Sequence, residues 1–289
     1  MMSFVKEMDK LIKELKAFYK KEARGHLPWR KTKDPYKILV SEVMLQQTQV
    51  ERVVEYYKYW IKKFPTAKAL AKAKLSDVLK EWQGLGYNRR AKFLHEAAKI
   101  LSSSAKDFFS SSSDAQKNSF ALELSTEFLE SLPGIGHYTA RAIAAFAYNR
   151  PEVFVETNIR TVFFYYSFLQ KDKISDAELL PLIQEMLQKS TMEPRDFYAA
   201  LMDYGSYLKS KGVRVNSKSK HYVKQSKFEG SVRQLRGAIL RELLKKPQSL
   251  VQLEKNLSPR TRREIASELE RLQKDGLLIK KQSARFEAA

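Results

Sequence analysis

Leu132-Pro133-Gly134-Ile135-Gly136-His137-Tyr138-Thr139-Ala140 places two glycines, two residues apart, in front of an apolar-patterned helix. Glycine accepts a left-handed backbone and lets another group approach closely. The free N–H groups of such a turn, together with the helix N-terminus behind it, form a concave donor surface for an anion. One DNA phosphate suits that surface, with Gly134, Gly136 and His137 as the expected contacts. Gly-x-Gly by itself also describes a plain turn between helices, so the rest of the chain must decide.

The composition favours the first reading. The chain has 289 residues, with 53 Lys and Arg against 33 Asp and Glu, a net charge of +20. A surplus of that size points to a polyanion, and nucleic acid is the obvious one. The charge is also local. Seven bases and one acid, Glu229, lie between Leu208 and Gly230. Lys218, Lys220 and Lys224 are the expected phosphate contacts in that patch. A hydrophobic fraction of 43% is enough for a folded core. The absence of cysteine excludes disulfides, thiolate metal sites and a cysteine nucleophile. No apolar run approaches the roughly 20 residues that span a bilayer. The N-terminus has no signal-like apolar stretch, so a cytoplasmic protein, nucleoid-associated in a bacterium, is expected.

Helical periodicity dominates. Phe4, Met8, Leu11, Ile12, Leu15, Phe18 and Tyr19 form one stripe. Two helices are expected within 36–61, one capped at Ser76, and another from about Tyr87 to Leu101. Further helices are expected near 125–132, 137–148, 156–169, 174–189 and 194–209. The Ser-rich stretch 102–120 reads as a loop or linker. The three tryptophans and the run FFYYSF (163–168) read as core. From 231 onward, three helical patterns and one short strand near 277–282 suggest either a winged-helix-like unit, with Arg260, Arg262 and Arg263 at the start of its third helix, or a small packing domain with a solvated basic face. The expected class is all-α. A two-lobed core over 1–230, its N-terminal helix packing on the 150–210 helices, precedes this small domain at 231–289. The hairpin then reads as a helix-hairpin-helix DNA-binding element.

Two acids stand in apolar surroundings. Glu42 lies in Ser41-Glu42-Val43-Met44-Leu45-Gln46-Gln47, and Glu156 in Phe154-Val155-Glu156-Thr157-Asn158. Two carboxyls in such settings can be driven to different pKa values, one an acid and one an anion. Breaking a glycosidic bond needs both roles. A helix cap at Glu156 and an internal ion pair at Glu42 are the plain alternatives.

The chain resembles the helix-hairpin-helix DNA glycosylases, and within them the adenine DNA glycosylase (MutY-type) family. The matching pieces are Leu27-Pro28-Trp29-Arg30, Asp34-Pro35-Tyr36, Ser41 to Val50, Gly84-Leu85-Gly86-Tyr87, the hairpin, Met202-Asp203-Tyr204-Gly205 and Gly230 to Gln234. The resemblance implies a monofunctional DNA N-glycosylase of base excision repair that flips adenine out of mispairs with 8-oxoguanine or guanine. It implies Glu42 as proton donor and Glu156 as the carboxylate facing the sugar cation, with Tyr138 and Asn158 supporting that second carboxylate. Gln47 and Tyr87 match residues that wedge into the base stack. The partner is double-stranded DNA with a mismatched or oxidised base, no membrane is involved, and a monomer suffices.

The chain departs from that family in several places. Four cysteines usually hold an iron–sulfur cluster where this chain has Lys209, Asn216, Ser219 and Gln225. No cofactor is therefore expected, the only admissible ion being a monovalent cation at the hairpin, and the basic patch is expected to take over the DNA contacts. Glu156 replaces an aspartate, and Ala199 stands where a Gln or Glu often touches adenine. The alternatives are a mismatch glycosylase for thymine or uracil and a non-catalytic DNA-binding protein.

Overall fold

The computed structural model describes residues 2–111, 124–168, 171–282 and 284–289. They form two compact units. Among the described residues, one unit takes 2–42, 124–131 and 135–224, and the other takes 43–111, 132–134 and 225–289. In chain order the helices are α1 (Met2–Glu22), α2 (Pro35–Leu45), α3 (Val50–Lys63), α4 (Ala67–Lys72), α5 (Leu75–Glu81) and α6 (Arg89–Ser111). They continue as α7 (Thr126–Ser131), α8 (His137–Tyr148), α9 (Thr157–Ser167), α10 (Asp176–Ser190) and α11 (Pro194–Ser210). The C-terminal elements are α12 (Val232–Leu243), β1 (Gln248–Ser249), α13 (Leu250–Asn256), α14 (Arg262–Lys274), β2 (Leu278–Lys280) and β3 (Arg285–Ala288). The boundary between the units crosses α2 after Glu42.

In the first unit, Met8, Leu11, Ile12 and Leu15 are the buried stripe of α1. Helix α1 packs on α11, α9 and α10. The aromatic run splits by helical period. Phe163 and Phe164 are buried, whereas Tyr165 is exposed and Tyr166 hydrogen-bonds Glu14 and Tyr204 through its hydroxyl. Helix α9 packs closely on α11 at Gly205, where an added Cβ would clash with the Asn158 carbonyl. Only glycine allows that approach, and it fixes the first turn of α9 against α11.

In the second unit, Trp60 and Trp82 are fully buried and meet edge to face at 5.3 Å, while α4 and α5 pack on α6. Helix α5 begins two residues earlier than expected: Lys74, not Ser76, is the cap, and its side chain makes no capping bond. Helix α6 starts at Arg89, because Gly86 and Tyr87 both have positive φ and hold the chain in a turn. It runs on to Ser111, through half of the stretch expected to be a linker. The Ser103 hydroxyl donates to the carbonyls of Lys99 and Ile100, so it is satisfied along the helix and does not break it. The remainder of that expected linker, 112–120, lies outside the described residues.

The C-terminal part of the second unit runs helix–strand–helix–helix–strand–strand. Its strands form one antiparallel sheet in the order β1-β3-β2. One strand was expected; β1 and β3 were missed because two and four residues are too short to show an alternation. Capping boxes at Ser249 with Gln252 and at Thr261 with Glu264 start α13 and α14. Gly276 follows α14 with φ +66°, the left-handed residue expected at its end.

The contrast between two glycines is testable. Gly205→Ala should reduce the unfolding free energy by about 2–3 kcal/mol through overpacking. Gly136→Ala meets nothing within 4 Å and should cost under about 1 kcal/mol. Urea denaturation of both variants checks the ranking, and equal midpoints would contradict the close contact at Asn158.

Candidate active site

All the residues of this site belong to the first unit. Helix α2 is apolar almost all round: Tyr36, Ile38, Leu39 and Val40 are buried, as is Glu42, which is 6% exposed. A helix sunk on every side has no solvated face for a carboxyl. The partner Glu42 finds is the Tyr138 hydroxyl, which donates to Oε2 at 2.9 Å. Tyr138 is the second residue of α8, so the hairpin ahead of that helix sets where the hydroxyl lies. Burial pushes the Glu42 carboxyl up to about 7, and the charge of nearby Glu156 adds to the rise; the Tyr138 bond and the Arg30 guanidinium oppose it. The internal ion pair weighed for Glu42 is absent among the described residues. Its neighbour Arg30 pairs with Asp203 at 3.2 Å instead.

Glu156 is the cap of α9. Its Oε1 accepts from the backbone N–H of Asn158 at 2.7 Å and of Ile159 at 3.0 Å, and its Oε2 accepts from the Asn158 side chain at 3.3 Å. Desolvation raises this carboxyl above its ordinary value, and the two N–H bonds and the charges of Lys209 and Arg160 offset only part of the rise. The cap and the site carboxylate are thus one residue, since a helix N-terminus stabilises the same anion that faces the other acid. The Asn158 side chain donates to Glu156, and its Oδ1 is buried without a hydrogen-bond partner. Tyr138 departs from expectation. It bonds Glu42, not Glu156, although its own ionisation is suppressed by the charge of both.

A layer of residues stands behind the two acids. Asp203, almost wholly buried, accepts from Arg24 Nε at 2.7 Å, from the Arg24 backbone N–H at 2.9 Å and from Arg30 at 3.2 Å. It thereby fixes the guanidinium whose charge reaches Glu42. The sequence offered Arg30 and Asp203 only as parts of matching motifs; nothing local showed that they share one ion pair across 173 residues. Phe154 stacks on Tyr198 at 3.8 Å and meets Tyr138 edge to face at 5.7 Å, walling the site with aromatic carbon. Ala199 is buried and brings no polar atom.

The phosphate-binding candidates separate. Gly134 has φ +76°, and a Cβ there would stand 2.7 Å from that of Phe93, so glycine is required for the fold. Gly136, by contrast, has an extended backbone and open space before it. It and His137 are exposed at the start of α8. Lys220 and Lys224 are exposed, but Lys218 is committed within the protein. Its ammonium donates to the Lys171 carbonyl and to Asp172, both at 3.3 Å. That removes it from the free cations of the patch.

Both wedge candidates, Gln47 and Tyr87, are in the second unit with positive φ, 55° and 48°. Non-glycine residues seldom hold that conformation unless their surroundings impose it. Arg90 imposes it. Buried, it donates to the carbonyls of Val43 at 2.9 Å and Met44 at 3.0 Å, and to those of Leu85 and Gly86 at 3.1 Å. One guanidinium therefore closes both turns. Sequence reasoning missed it, since an arginine in Asn-Arg-Arg before a helix looks solvated. The Tyr87 hydroxyl in turn accepts from Gln225 and Arg233, each at 2.7 Å.

The positions expected to lack cluster ligands do not fit a metal cluster by their chemistry. Asn216 accepts from the Thr161 hydroxyl at 3.1 Å, Ser219 pairs with Ile174, and Gln225 serves Tyr87. Lys209 is half-buried near Glu156. None supplies a thiolate.

The raised Glu42 carboxyl makes a stability prediction. Between its ordinary value of 4.5 and about 7, the folded protein keeps a proton that the unfolded chain releases. Stability therefore falls as pH rises through that window. Glu42→Gln keeps the acceptor for Tyr138 and removes the effect. The variant should exceed the parent by roughly 3 kcal/mol above pH 8 and match it near pH 4. Urea unfolding across pH measures this, and parallel curves would contradict it.

Comparison with known proteins adds the family. The HhH-GPD superfamily of base excision DNA repair proteins matches residues 40–188, more than half of the chain and the span that holds Glu42, the hairpin, Tyr138, Glu156 and Asn158. The adenine DNA glycosylase of Mycolicibacterium smegmatis is 40% identical over 194 residues, 67% of this chain and 61% of the relative. That of Buchnera aphidicola subsp. Baizongia pistaciae is 33% identical over 235 residues, 73% and 63% of the two chains. The chain thus spans less than two thirds of the length of these relatives. Among solved structures, a thermostable thymine-DNA glycosylase superposes with a TM-score of 0.56 at 24% identity, over 71% of this chain and 88% of that one. H. pylori 3-methyladenine DNA glycosylase superposes with a TM-score of 0.52 at 20% identity, over 72% and 99%. These two likenesses establish the fold. The chain belongs to the HhH-GPD superfamily of base excision DNA repair proteins.

Proposed function

We propose that this chain is a monofunctional adenine DNA N-glycosylase, acting on adenine opposite guanine or 8-oxoguanine in double-stranded DNA. The observation that carries the reading is the Glu42 carboxyl, buried, bonded to Tyr138 and held near neutrality beside the Glu156 carboxylate. A carboxyl that titrates near 7 is protonated often enough to act as a general acid and ionises easily enough to give the proton up. Glu42 donates that proton to the leaving adenine as the bond to the sugar breaks. Glu156, favoured as an anion by two backbone N–H groups, faces the positive charge that develops on the sugar. Water then adds to the sugar carbon and releases its proton, so the products are free adenine and an abasic site. Tyr138 stands where a lyase would need a lysine amine, which supports hydrolysis without strand cleavage. The adenine DNA glycosylases among the relatives support the choice of base.

Outside the site, the exposed start of α8, with Gly136 and His137, suits one phosphate. Lys220 and Lys224 suit others. Gln47 and Tyr87, held in strained turns by Arg90, suit insertion into the base stack. The order of helices and strands in 231–289 supports a winged-helix-like module.

Duplexes with A opposite 8-oxoguanine, A opposite G, G opposite T and G opposite U, incubated with the protein and then treated with hot alkali, test the reading. Cleavage confined to the adenine strands is expected. Cleavage of thymine or uracil strands would replace adenine as the substrate, and binding without cleavage would leave a DNA-binding protein only. The single-turnover rate should fall about tenfold per unit above about pH 7, and Glu42→Gln should lower it by about 10²–10⁴. Tyr138→Phe removes a bond that lowers the Glu42 pKa, so its alkaline limb should move to higher pH. A limb that stays in place would exclude Glu42 as the titrating acid.

A further inference from the structure

The proposed chemistry leaves one exposed feature of the second unit unused. Helix α14 buries Ile265, Leu269 and Leu272 against the core of the C-terminal module, which turns its opposite side outward. On that outward side Arg262 and Arg263 are exposed and form no ion pair among the described residues. Their neighbours are already engaged: Glu264 accepts from Arg260 and closes the cap with Thr261, and Glu268 takes Arg236 and Arg271. Among the described residues of α14 the only further exposed acid is Glu270, two turns on, so the first turn carries two adjacent unpaired guanidinium groups, with Lys274 a single exposed base at the far end. The attraction there is that of guanidinium groups, because the Thr261 cap already uses an N–H of that turn.

Beside this turn runs a groove of about 320 Å³, edged by Val232, Arg260 and Arg263 and also lined by Glu264 and Glu268, the two acids already engaged by Arg260, Arg236 and Arg271. Val232 is 50% exposed in it. From 231 to 289 the chain has fourteen bases and seven acids, so no internal counter-charge balances the surface.

The same unit ties this surface to the wedge residue. Arg233, next to Val232, donates to the Tyr87 hydroxyl and lies 5.3 Å over its ring. At the far end of α14, Asp275 pairs with Arg89 at 3.5 Å and also with Arg236. A helix of 13 residues is about 20 Å long, well under one turn of duplex. The first turn of α14 therefore lies within reach of a duplex held at Tyr87, at a separation of less than one turn of the double helix.

We propose that Arg262 and Arg263, with the groove edged by Arg260, form a second duplex-contact surface that takes phosphates flanking the lesion. This rests on the reading of the chain as a DNA glycosylase. Both guanidinium groups are assigned to the sugar–phosphate backbone, a contact that adds affinity without sequence preference.

The test uses the full chain and a 30-base-pair duplex with a tetrahydrofuran abasic analogue opposite guanine. Arg262→Ala with Arg263→Ala should weaken binding about tenfold at moderate salt and lower the slope of log K against log salt by about 1.8. Excision under saturating enzyme should not change. Arg241→Ala with Lys246→Ala, two exposed bases at the other end of α12, removes the same charge and should alter the slope far less. Trimming the flanking duplex on one side should bring the parent down to the double variant. An unchanged affinity and slope, or an equal loss in the control pair, would overturn the proposal and assign the surface to an acidic protein segment. If the parent excises no base while the arginine variant still loses duplex affinity, the surface stands and the glycosylase reading falls.

Discussion

Keeping a carboxyl out of water is the constraint around which the first unit is arranged. An isolated buried carboxylate is strongly disfavoured, so such a group either takes a proton or finds compensation. Glu42 does both in part. Tyr138 gives it one hydrogen bond and Arg30 a distant positive charge, while burial and Glu156 hold the proton on. Arg30 can supply that charge only because Asp203, clamped by Arg24, keeps it in place. Three chain segments, near residues 24–42, 138 and 203, therefore converge on one proton.

Glu156 meets the same desolvation with local backbone compensation and little extra structure. As the cap of α9 it is needed to start the helix, and the helix N-terminus is the place where an anion is best tolerated. Its extra methylene relative to aspartate is absorbed by capping geometry, which reaches both Asn158 and Ile159. Gly205 holds that first turn against α11, so the position of the anion is set by backbone contact as well as by its own bonds.

The second unit places strain instead of charge. Gln47 and Tyr87 sit in left-handed turns where Arg90 gathers the carbonyls that precede each of them, with the Thr48 hydroxyl after Gln47. Six short-range backbone and side-chain acceptors for one buried guanidinium form a rigid knot. Tyr87 is then gripped from the C-terminal side by Gln225 and Arg233, which joins the wedge turn to the module that follows.

Much of this was legible from residues alone, where the cause is local. The helical stripes, the hairpin glycines, the Gly276 stop and the two acids in apolar runs all follow from spacing and side-chain type over a few positions. Ser76 and the 102–111 stretch misled because serine serves equally as cap, linker and helix residue, and only its hydrogen-bond partners distinguish these. Lys218 looked like a free cation until Asp172, 46 positions away, was seen beside it.

By itself the sequence determined where helices form, that the chain is strongly basic and that Glu42 and Glu156 lie in apolar surroundings. Those properties depend on neighbours within one or two turns. Only the tertiary structure decided that Tyr138 serves Glu42, that Arg30 is held by Asp203, and that Arg90 governs two turns at once. Each of those depends on a distance between residues far apart in the chain, and a distance of that kind is written by the packing of helices and not by any local pattern.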